Sequence, residues 1–531
     1  MGRWVGEETP RLDVEVERAK LRCRAVIDRI STSTVPVPPK PPPSDCYRTT
    51  LLRLAHSELS FLSSPRLNPT SLSSNIGHIE AILHILEQPF INGVSRVCKR
   101  VPTLSSPLVD NNGHKTNSNS KKIHVDIVCT VNGSPVWFLV SARNPRFVSW
   151  NSGSSSPAKH QKRNLRTRIQ QLLDAATHCS PSIKPSSIIL YFSNGLEDHI
   201  HCKLKDEFGA SEFGMEFSDI CFDSSVELGG DWVYLLGRLY QTVRVLEIKV
   251  GHSRSGSGSG SASPETESVV QDSHLGSVSA NKDFPDESIA LDLGASFCHL
   301  ISRMNLHPWD VKDPELAQKR DFCEANLINF DTTALIALIS GISSSGTDKI
   351  LAKPESELRQ RFKGNYEFVI AQVVSEIQNP IHMELDGILS GKRGMICRSV
   401  YSEFKELVSM CGGPNEKSRA DHLLNHLMKF WPLSLVKRFH RAKMKKRFQF
   451  HQWRNTIDRM HLLVVPDCPS ERMMSLPTTR KLALKNKIVF GTGDYWRAPT
   501  LTANMGFVRA VSQTGMSLFT IGHRPRALTG D

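Results

Sequence analysis

The sequence lacks the features that would place it in a well-known class of protein. Its 531 residues include twelve cysteines but no Cys-x-x-Cys pair, so the spacing offers no zinc-ribbon or thioredoxin-type motif. No apolar run approaches the ~20 residues needed to cross a bilayer, and the charged start MGRWVGEET has no apolar core of a secretory signal. We therefore expect reduced thiols and a cytoplasmic or nuclear protein without membrane contact.

Motifs of several large enzyme classes are also missing. The chain has no P-loop, no H-E-x-x-H, and no G-x-G-x-x-G or G-x-S-x-G in a strand-to-helix context. Kinase, dehydrogenase, zincin and α/β-hydrolase chemistry therefore has no support in the sequence. The hydrophobic content of 39% and the charged content of 22% are those of an ordinary globular protein.

A serine- and glycine-rich stretch divides the chain. Residues 252–264, with the sequence HSRSGSGSGSASP, carry no side chains that could bury a core, and the sequence stays polar for some twenty residues more. A chain of this length is expected to form two or three cores. We predict an N-terminal α/β domain over 1–250, a flexible, disordered linker over 251–287, and a C-terminal domain over 288–531 with its core at 320–531.

Turn chemistry predicts the fold of the N-terminal domain. Asn132-Gly133 separates two β-rich runs, residues 122–131 and 136–142, and an Asn-Gly pair in that setting is a strong hairpin signal. A helical pattern over 165–176 and an apolar run over 188–192 follow. This alternation of strands and helices indicates an α/β domain.

The same hairpin carries part of a nuclease pattern. Asp126 followed by Ser141-x-Arg143 resembles the Asp…Glu-x-Lys pattern of restriction-endonuclease-like cores. Ser141 stands in place of the acid and Arg143 in place of the lysine, so the resemblance implies no cleavage chemistry at this point. We expect this domain to be structural and to contact protein or RNA.

Positive charge is concentrated in one segment. Residues 429–459 contain ten lysines and arginines against one aspartate, a net +9 (10 − 1) of the chain's +13. Six phenylalanines and tryptophans lie in the same segment, and Trp431, Phe439, Phe448, Phe450 and Trp453 are interleaved with the bases. Such a mixture offers cations to phosphates and rings to bases. RNA is therefore an expected partner. The alternative is an insertion, or a solvated amphipathic helix, without a role in binding.

An aspartate lies where a ligand site is expected in an α/β sheet. In residues 327–339, LINFDTTALIALI, an apolar run ends at Asp331 and a helix-compatible apolar run follows. A buried parallel strand delivers a carboxylate to its C-terminal end in this way. Two later segments, residues 488–494 (IVFGTGD) and 501–510 (LTANMGFVRA), are expected to meet it across one sheet. Taken alone, Asp331 could equally be a helix N-cap.

This arrangement resembles the PIN-domain nucleases, which have a strand ending in Asp-Thr or Asp-Ser, a helix bearing an acid, and a late T-x-D or T-x-N turn before a Phe-containing helix. More closely, residues 320–531 resemble a eukaryotic family, with plant-like members, whose C-terminal domain is PIN-like and of unknown function (the domain of unknown function 1308 type). The segments that carry this second resemblance are NFDTTALI, GGP, VPDCPSER, FGTGD, LTANMGFVRA and PRALT.

The resemblance implies a PIN-like α/β/α fold with a parallel sheet. It also implies that the domain acts as a metal-dependent endoribonuclease. Asp331 would be the first metal-binding acid and Glu403 the second. Asp494 would be the remaining acid or a helix cap, and Asn504 would occupy the last acidic position. Mg²⁺ or Mn²⁺ would be the cofactor, because hard ions prefer oxygen ligands and neutralise the charge of a scissile phosphate.

The sequence departs from the PIN pattern in its number of acids. Asn504 is neutral, and Asn486 or Lys487 stands where another aspartate is usual. Fewer carboxylates bind metal more weakly, so the alternative function is a catalytically inactive module that binds RNA or protein. The sequence sets no oligomeric state. In either function, substrate contacts are expected from Thr332, Thr502, Arg509, Lys445, Lys446 and Arg447.

Overall fold

The computed structural model describes residues 9–32, 45–64, 74–102, 122–150, 164–217, 243–251, 293–304, 327–428 and 463–531. The segments predicted as a linker and as a basic insertion lie almost wholly outside these ranges. Two sheets are present, one in each half of the chain, so the fold is mixed α/β as expected. None of the helices in these ranges is both long enough and apolar enough to cross a membrane.

The N-terminal half forms a six-stranded mixed sheet. Its order is β1-β2-β3-β4-β6-β5, with β3 and β4 parallel and the other neighbours antiparallel. The predicted hairpin is confirmed, because β2 and β3 are joined at Asn132 and Gly133, both of positive φ. The strands are β1 (Ile91–Pro102), β2 (Lys122–Val131), β3 (Ser134–Ser141), β4 (Ser187–Phe192), β5 (Ser211–Glu212) and β6 (Arg244–Lys249).

Helices cover both faces of this sheet. Three of them pack on one face, where Cys23 and Ile82 belong to a shared apolar core. Two pack on the other face, where Ile169 and Ile200 belong to a second core. The helices are, in this order, α1 (Thr9–Thr32), α2 (Asp45–Leu62), α3 (Ile76–Glu87), α4 (Leu165–Thr177) and α5 (Asp198–Phe208).

The C-terminal half forms a five-stranded sheet in which all neighbouring strands are parallel, as predicted. The order is β11-β10-β7-β8-β9, so the first of these strands in the chain is central. Its residues Ile328 and Phe330 are almost completely buried. The strands are β7 (Leu327–Phe330), β8 (Arg393–Cys397), β9 (Leu463–Val465), β10 (Thr500–Thr502) and β11 (Thr520–Gly522).

Eleven α-helices are described in this half of the chain. Most of them contribute to one apolar core around the sheet, and Leu358, Val369 and Val373 form part of a smaller satellite cluster. The helices are α6 (Ala295–Met304), α7 (Thr332–Ile339), α8 (Thr347–Leu351), α9 (Glu355–Phe362), α10 (Tyr366–Gln378), α11 (Ile381–Leu389), α12 (Arg398–Cys411), α13 (Pro414–Met428), α14 (Glu471–Met474), α15 (Leu484–Tyr495) and α16 (Met505–Thr514).

One segment expected in the sheet is helical instead. Residues 488–494 lie within α15, which packs against the sheet rather than joining it. Gly493 permits this close packing, because a Cβ there would collide with the side chains of Thr500 and Asn329. Asn329 also donates its side-chain amide to the carbonyl of Val489 at 3.2 Å. The β-like run Ile-Val-Phe is therefore overridden by tertiary packing.

The two halves of the chain touch through β1 and α16. The Ser95 hydroxyl donates to the carbonyl of Gly515 at 2.8 Å, and Arg96 donates to the carbonyl of Thr514 at 3.3 Å. Gly515 has a φ of +95°, and a Cβ there would collide with the guanidinium of Arg96. A glycine is thus required at the end of α16 both for its backbone and for this contact.

A buried histidine makes the stability of the C-terminal half dependent on pH. His382 Nδ1 lies 3.0 Å from the hydroxyl of Ser296 and Nε2 lies 2.9 Å from the carbonyl of Leu338. Burial lowers the pKa of His382 from 6.5 to about 4. The folded side chain is therefore neutral while the unfolded one gains a proton as the pH falls below 6.5.

We expect the free energy of unfolding to fall by about 3 kcal/mol through His382 as the pH drops from above 6.5 to about 4. His382→Gln should remove this part of the pH dependence, because glutamine does not titrate. Denaturation of both proteins across this pH window measures the difference. Identical pH profiles would contradict the assignment.

Candidate functional site

The C-terminal sheet has a crevice where its strand order reverses. The chain passes from the central strand β7 to β8 and β9 on one side, and then to β10 and β11 on the other. In open parallel sheets, ligands bind at such a switch point, outside the carboxyl ends of the strands. Asp331 directly follows β7 and Thr502 is the last residue of β10. Both therefore lie at the crevice.

Asp331 is held by donors on both carboxylate oxygens. Its Oδ1 accepts the backbone amide of Ala334 at 2.9 Å and the hydroxyl of Thr333 at 2.6 Å, so it is the N-cap of α7. Its Oδ2 accepts the hydroxyl of Thr502 across the crevice. Burial raises the pKa of Asp331 above its usual value, although these hydrogen bonds act in the opposite direction. The N-cap expectation is confirmed.

Glu403 reaches the same turn from α12. Its Oε2 accepts the hydroxyl of Thr332 at 2.8 Å, and Thr332 is the residue next to Asp331. Its Oε1 forms an ion pair with the ammonium group of Lys485, at the start of α15. A quarter of the Glu403 side chain is exposed. Two acids 72 residues apart in the sequence thus accept hydrogen bonds from adjacent threonines of one turn, Glu403 from Thr332 and Asp331 from Thr333.

Asn504 completes this network from the other side of the crevice. Its side-chain oxygen accepts the amide of Phe507 at 3.2 Å, so it is the N-cap of α16. The backbone amide of Asn504 donates to the hydroxyl of Thr502 at 2.9 Å, and the backbone amide of Ala503 donates to the hydroxyl of Thr333 at 2.9 Å. The two threonine hydroxyls therefore join the turn after β7 to the turn after β10.

Asp494 lies apart from this network. It accepts the hydroxyl of Ser470 at 2.5 Å and lies 3.7 Å from the guanidinium of Arg472. Lys485, which touches Glu403, is nine residues earlier on the same helix, a rise of about 13.5 Å. Asp331, Glu403 and Asp494 do not bring their oxygens within 4.8 Å of one another as a group of three. Of the three acids predicted to bind metal, Asp331 and Glu403 accept hydrogen bonds from the turn after β7, whereas Asp494 accepts one from Ser470.

The remaining predicted contacts are divided between surface, core and undescribed residues. Arg509 is exposed on α16, and Thr332 and Thr502 are buried. Lys445, Lys446 and Arg447 lie outside the described residues. The sequence reasoning missed two members of the network. Thr333 could have been found from the doubled threonine after Asp331. Lys485 belongs to no motif, and only the tertiary structure places it beside Glu403.

Replacing the Thr502 hydroxyl tests whether Asp331 depends on it. We expect Thr502→Val to destabilise the protein by about 1–3 kcal/mol, because a nearly isosteric change leaves a buried carboxylate oxygen without its donor. In a double-mutant cycle with Asp331→Asn, the double mutant should lose less stability than the sum of the losses in the two single mutants. Denaturation of the four proteins measures this. Fully additive losses would show that the two groups do not interact.

A comparison with protein-family models finds a match in the C-terminal half of the chain. The family model described as Protein of unknown function (DUF1308) matches residues 328–447 and 445–531. The matched residues include the central strand, Asp331, Glu403 and the turn at Thr502. No solved structure matches the chain. Residues 328–531 therefore carry a C-terminal domain of unknown function that matches the DUF1308 family model.

Proposed function

We propose that the DUF1308 domain is PIN-like and acts as a metal-dependent endoribonuclease on RNA phosphodiesters. The observation that carries this proposal is that Asp331 directly follows the central parallel strand, while Glu403 of α12 accepts a hydrogen bond from the adjacent Thr332. This is where an open α/β sheet places its ligand. The proposed compartment is the cytoplasm or the nucleus, where RNA substrates occur.

Two carboxylates are sufficient for the proposed ion. Mg²⁺ and Mn²⁺ prefer oxygen ligands, and Mg²⁺ is commonly held by one or two carboxylates together with water and substrate phosphate. Asp331 and Glu403 would hold it, with Glu403 the more accessible of the two. When bound, the ion would supply an activated water and neutralise charge on the phosphate. Asp494 has other partners and is not part of this proposal.

The chain's own residues supply orientation and positive charge. The hydroxyls of Thr333 and Thr502 fix the direction of the Asp331 carboxylate. Lys485, whose side chain is 58% exposed beside Glu403, offers an ammonium group to a phosphate oxygen. Arg509 is exposed on α16, the helix that begins at the crevice. These cations favour a nucleic-acid backbone over a neutral substrate.

The nuclease proposal is tested with single-stranded RNA and Mn²⁺. We expect the wild-type protein to cleave, and Asp331→Asn and Glu403→Gln to lower the rate at least about 100-fold, as the loss of one charge-stabilising group typically does. Two exposed acids serve as matched controls, Asp348→Asn at the start of α8 and Glu406→Gln on α12. Both should cleave normally.

Asp494→Asn distinguishes a metal site formed by Asp331 and Glu403 alone from the three-acid site predicted from the sequence. If Asp331 and Glu403 are sufficient, this variant keeps its activity, provided that its thermal unfolding shows an intact fold. The nuclease proposal fails if the wild-type protein does not cleave RNA, or if cleavage survives Asp331→Asn.

A second function is favoured by one specific observation. All four carboxylate oxygens of Asp331 and Glu403 have protein donors, namely backbone amide, threonine hydroxyls and the ammonium group of Lys485. A site whose oxygens are already satisfied gains less from a metal ion. The same domain would then be a catalytically inactive module that binds RNA or protein.

RNA binding by either form is tested through its salt dependence. Deleting residues 429–459 removes ten basic side chains and one acidic one. We expect the slope of log affinity against log salt concentration to become shallower, by about 0.7 for each lost phosphate contact on single-stranded RNA. Filter binding or fluorescence anisotropy at several salt concentrations measures the slope. An unchanged slope would remove this segment from the RNA contact.

A further inference from the structure

A group of potential metal ligands lies in the N-terminal half, far in sequence from the crevice. One ligand atom each from His78, Cys98 and Asp126 lies within 4.8 Å of the other two. Among the residues that the structure describes, this is the one such group of three His, Cys, Asp or Glu side chains. His78 comes from the first turn of α3, Cys98 from β1 and Asp126 from β2. Three separate elements thus converge on one point.

Asp126 is the buried centre of this group. Its Oδ2 accepts the backbone amide of Val140 at 2.8 Å, which fixes the carboxylate on the sheet. Its Oδ1 lies 3.4 Å from Nε2 of His78 and 3.6 Å from Nδ1 of His124. Both distances exceed those of ordinary hydrogen bonds. Burial raises the pKa of Asp126, but His78, the amide of Val140 and His124 lower it by more, so the pKa lies below its usual value.

These separations match the edges of a coordination tetrahedron. Zinc bonds of about 2.0–2.3 Å place neighbouring ligand atoms about 3.3–3.8 Å apart. The distance of 3.4 Å between Nε2 of His78 and Oδ1 of Asp126 falls within this range. The sulfur of Cys98 lies within 4.8 Å of the other ligand atoms, so a movement of about one ångström or less would bring it to the same spacing.

The backbone at Cys98 is unusual for a strand. Its φ is +49°, in the left-handed region that non-glycine residues rarely adopt. The partner strand is irregular at the same level. Side chains two residues apart should face one side of a sheet, yet Ile127 packs in the core on one face and Val125 in the core on the other. The register pairs Val97 with Ile127 and Lys99 with Val125, so the left-handed backbone at Cys98 lies at the level where β2 changes face. Backbone strain of this kind is concentrated at functional sites.

The geometry points to a binding site for Zn²⁺ or a similar transition-metal ion, formed by His78, Cys98 and Asp126. One imidazole nitrogen, one thiolate and one carboxylate form a donor set that zinc accepts, whereas Mg²⁺ and Mn²⁺ favour oxygen alone. The fourth position would be left to water, because His124 does not belong to the group of ligand atoms that lie within 4.8 Å of one another. Arg168 donates to the carbonyl of His124 and lies outside the ligand set.

Cobalt(II) is the probe, because it binds tetrahedral zinc sites and its thiolate bond gives a charge-transfer absorption. We expect the full-length protein to take up one Co²⁺ with this absorption and to release it when Zn²⁺ is added. Cys98→Ser should abolish the charge-transfer band. His78→Gln should weaken binding at least about 100-fold, since even the loss of an outer partner of a ligand costs about 10–100-fold.

Matched controls separate this site from other cysteines, other histidines and the crevice. Cys202→Ser and His199→Gln replace exposed side chains on α5 and should bind cobalt as the wild type does. Asp331→Asn should also leave the band unchanged, because that residue belongs to the proposed oxygen site. Absence of a stoichiometric cobalt–thiolate band, or a band that survives Cys98→Ser in a folded variant, would overturn the inference and leave Asp126 as a hydrogen-bonded buried carboxylate only.

Discussion

The buried carboxylate of Asp331 is the constraint on which the C-terminal domain depends. A carboxyl group that is 5% exposed must find hydrogen-bond partners inside the protein, and leaving a buried polar group without its partner costs about 1–3 kcal/mol. The donors come from the first turn of α7 and, through Thr502, from the end of β10. Satisfying one side chain therefore fixes where a helix begins and how two strands meet.

Other parts of the family-like sequence close the domain at a distance from this crevice. Glu416, fully buried, accepts the backbone amides of Gly413 and Thr529, which belong to the GGP and PRALT segments. Arg526 forms a buried ion pair with Glu376 at 2.6 Å. Breaking a buried pair by removing one partner costs about 3–5 kcal/mol. These segments are thus explained by stability, whereas the segments around Asp331 and Thr502 lie at the candidate site.

Strand β1 contacts the C-terminal half of the chain and also contributes a residue to the proposed transition-metal site. Ser95 and Arg96 contact the end of α16, a helix that begins at the crevice. Cys98, two to three residues further along, belongs to the proposed transition-metal site. The two proposed sites differ in chemistry, because one offers oxygen ligands and the other nitrogen, sulfur and oxygen. An ion that prefers one donor set should therefore discriminate between them.

Local patterns in the sequence determined the parallel sheet, the hairpin at Asn132-Gly133 and the cap at Asp331, because turn residues and hydrophobic periodicity act over a few residues. The sequence also placed Glu403 near Asp331, but only through resemblance to a family. Only the tertiary structure decided that residues 488–494 are helical, that Asp494 accepts a hydrogen bond from Ser470, and that Lys485 pairs with Glu403. It also gathered His78, Cys98 and Asp126. Periodicity records which side chains are buried, whereas the meeting of distant polar groups depends on how helices and strands pack against one another.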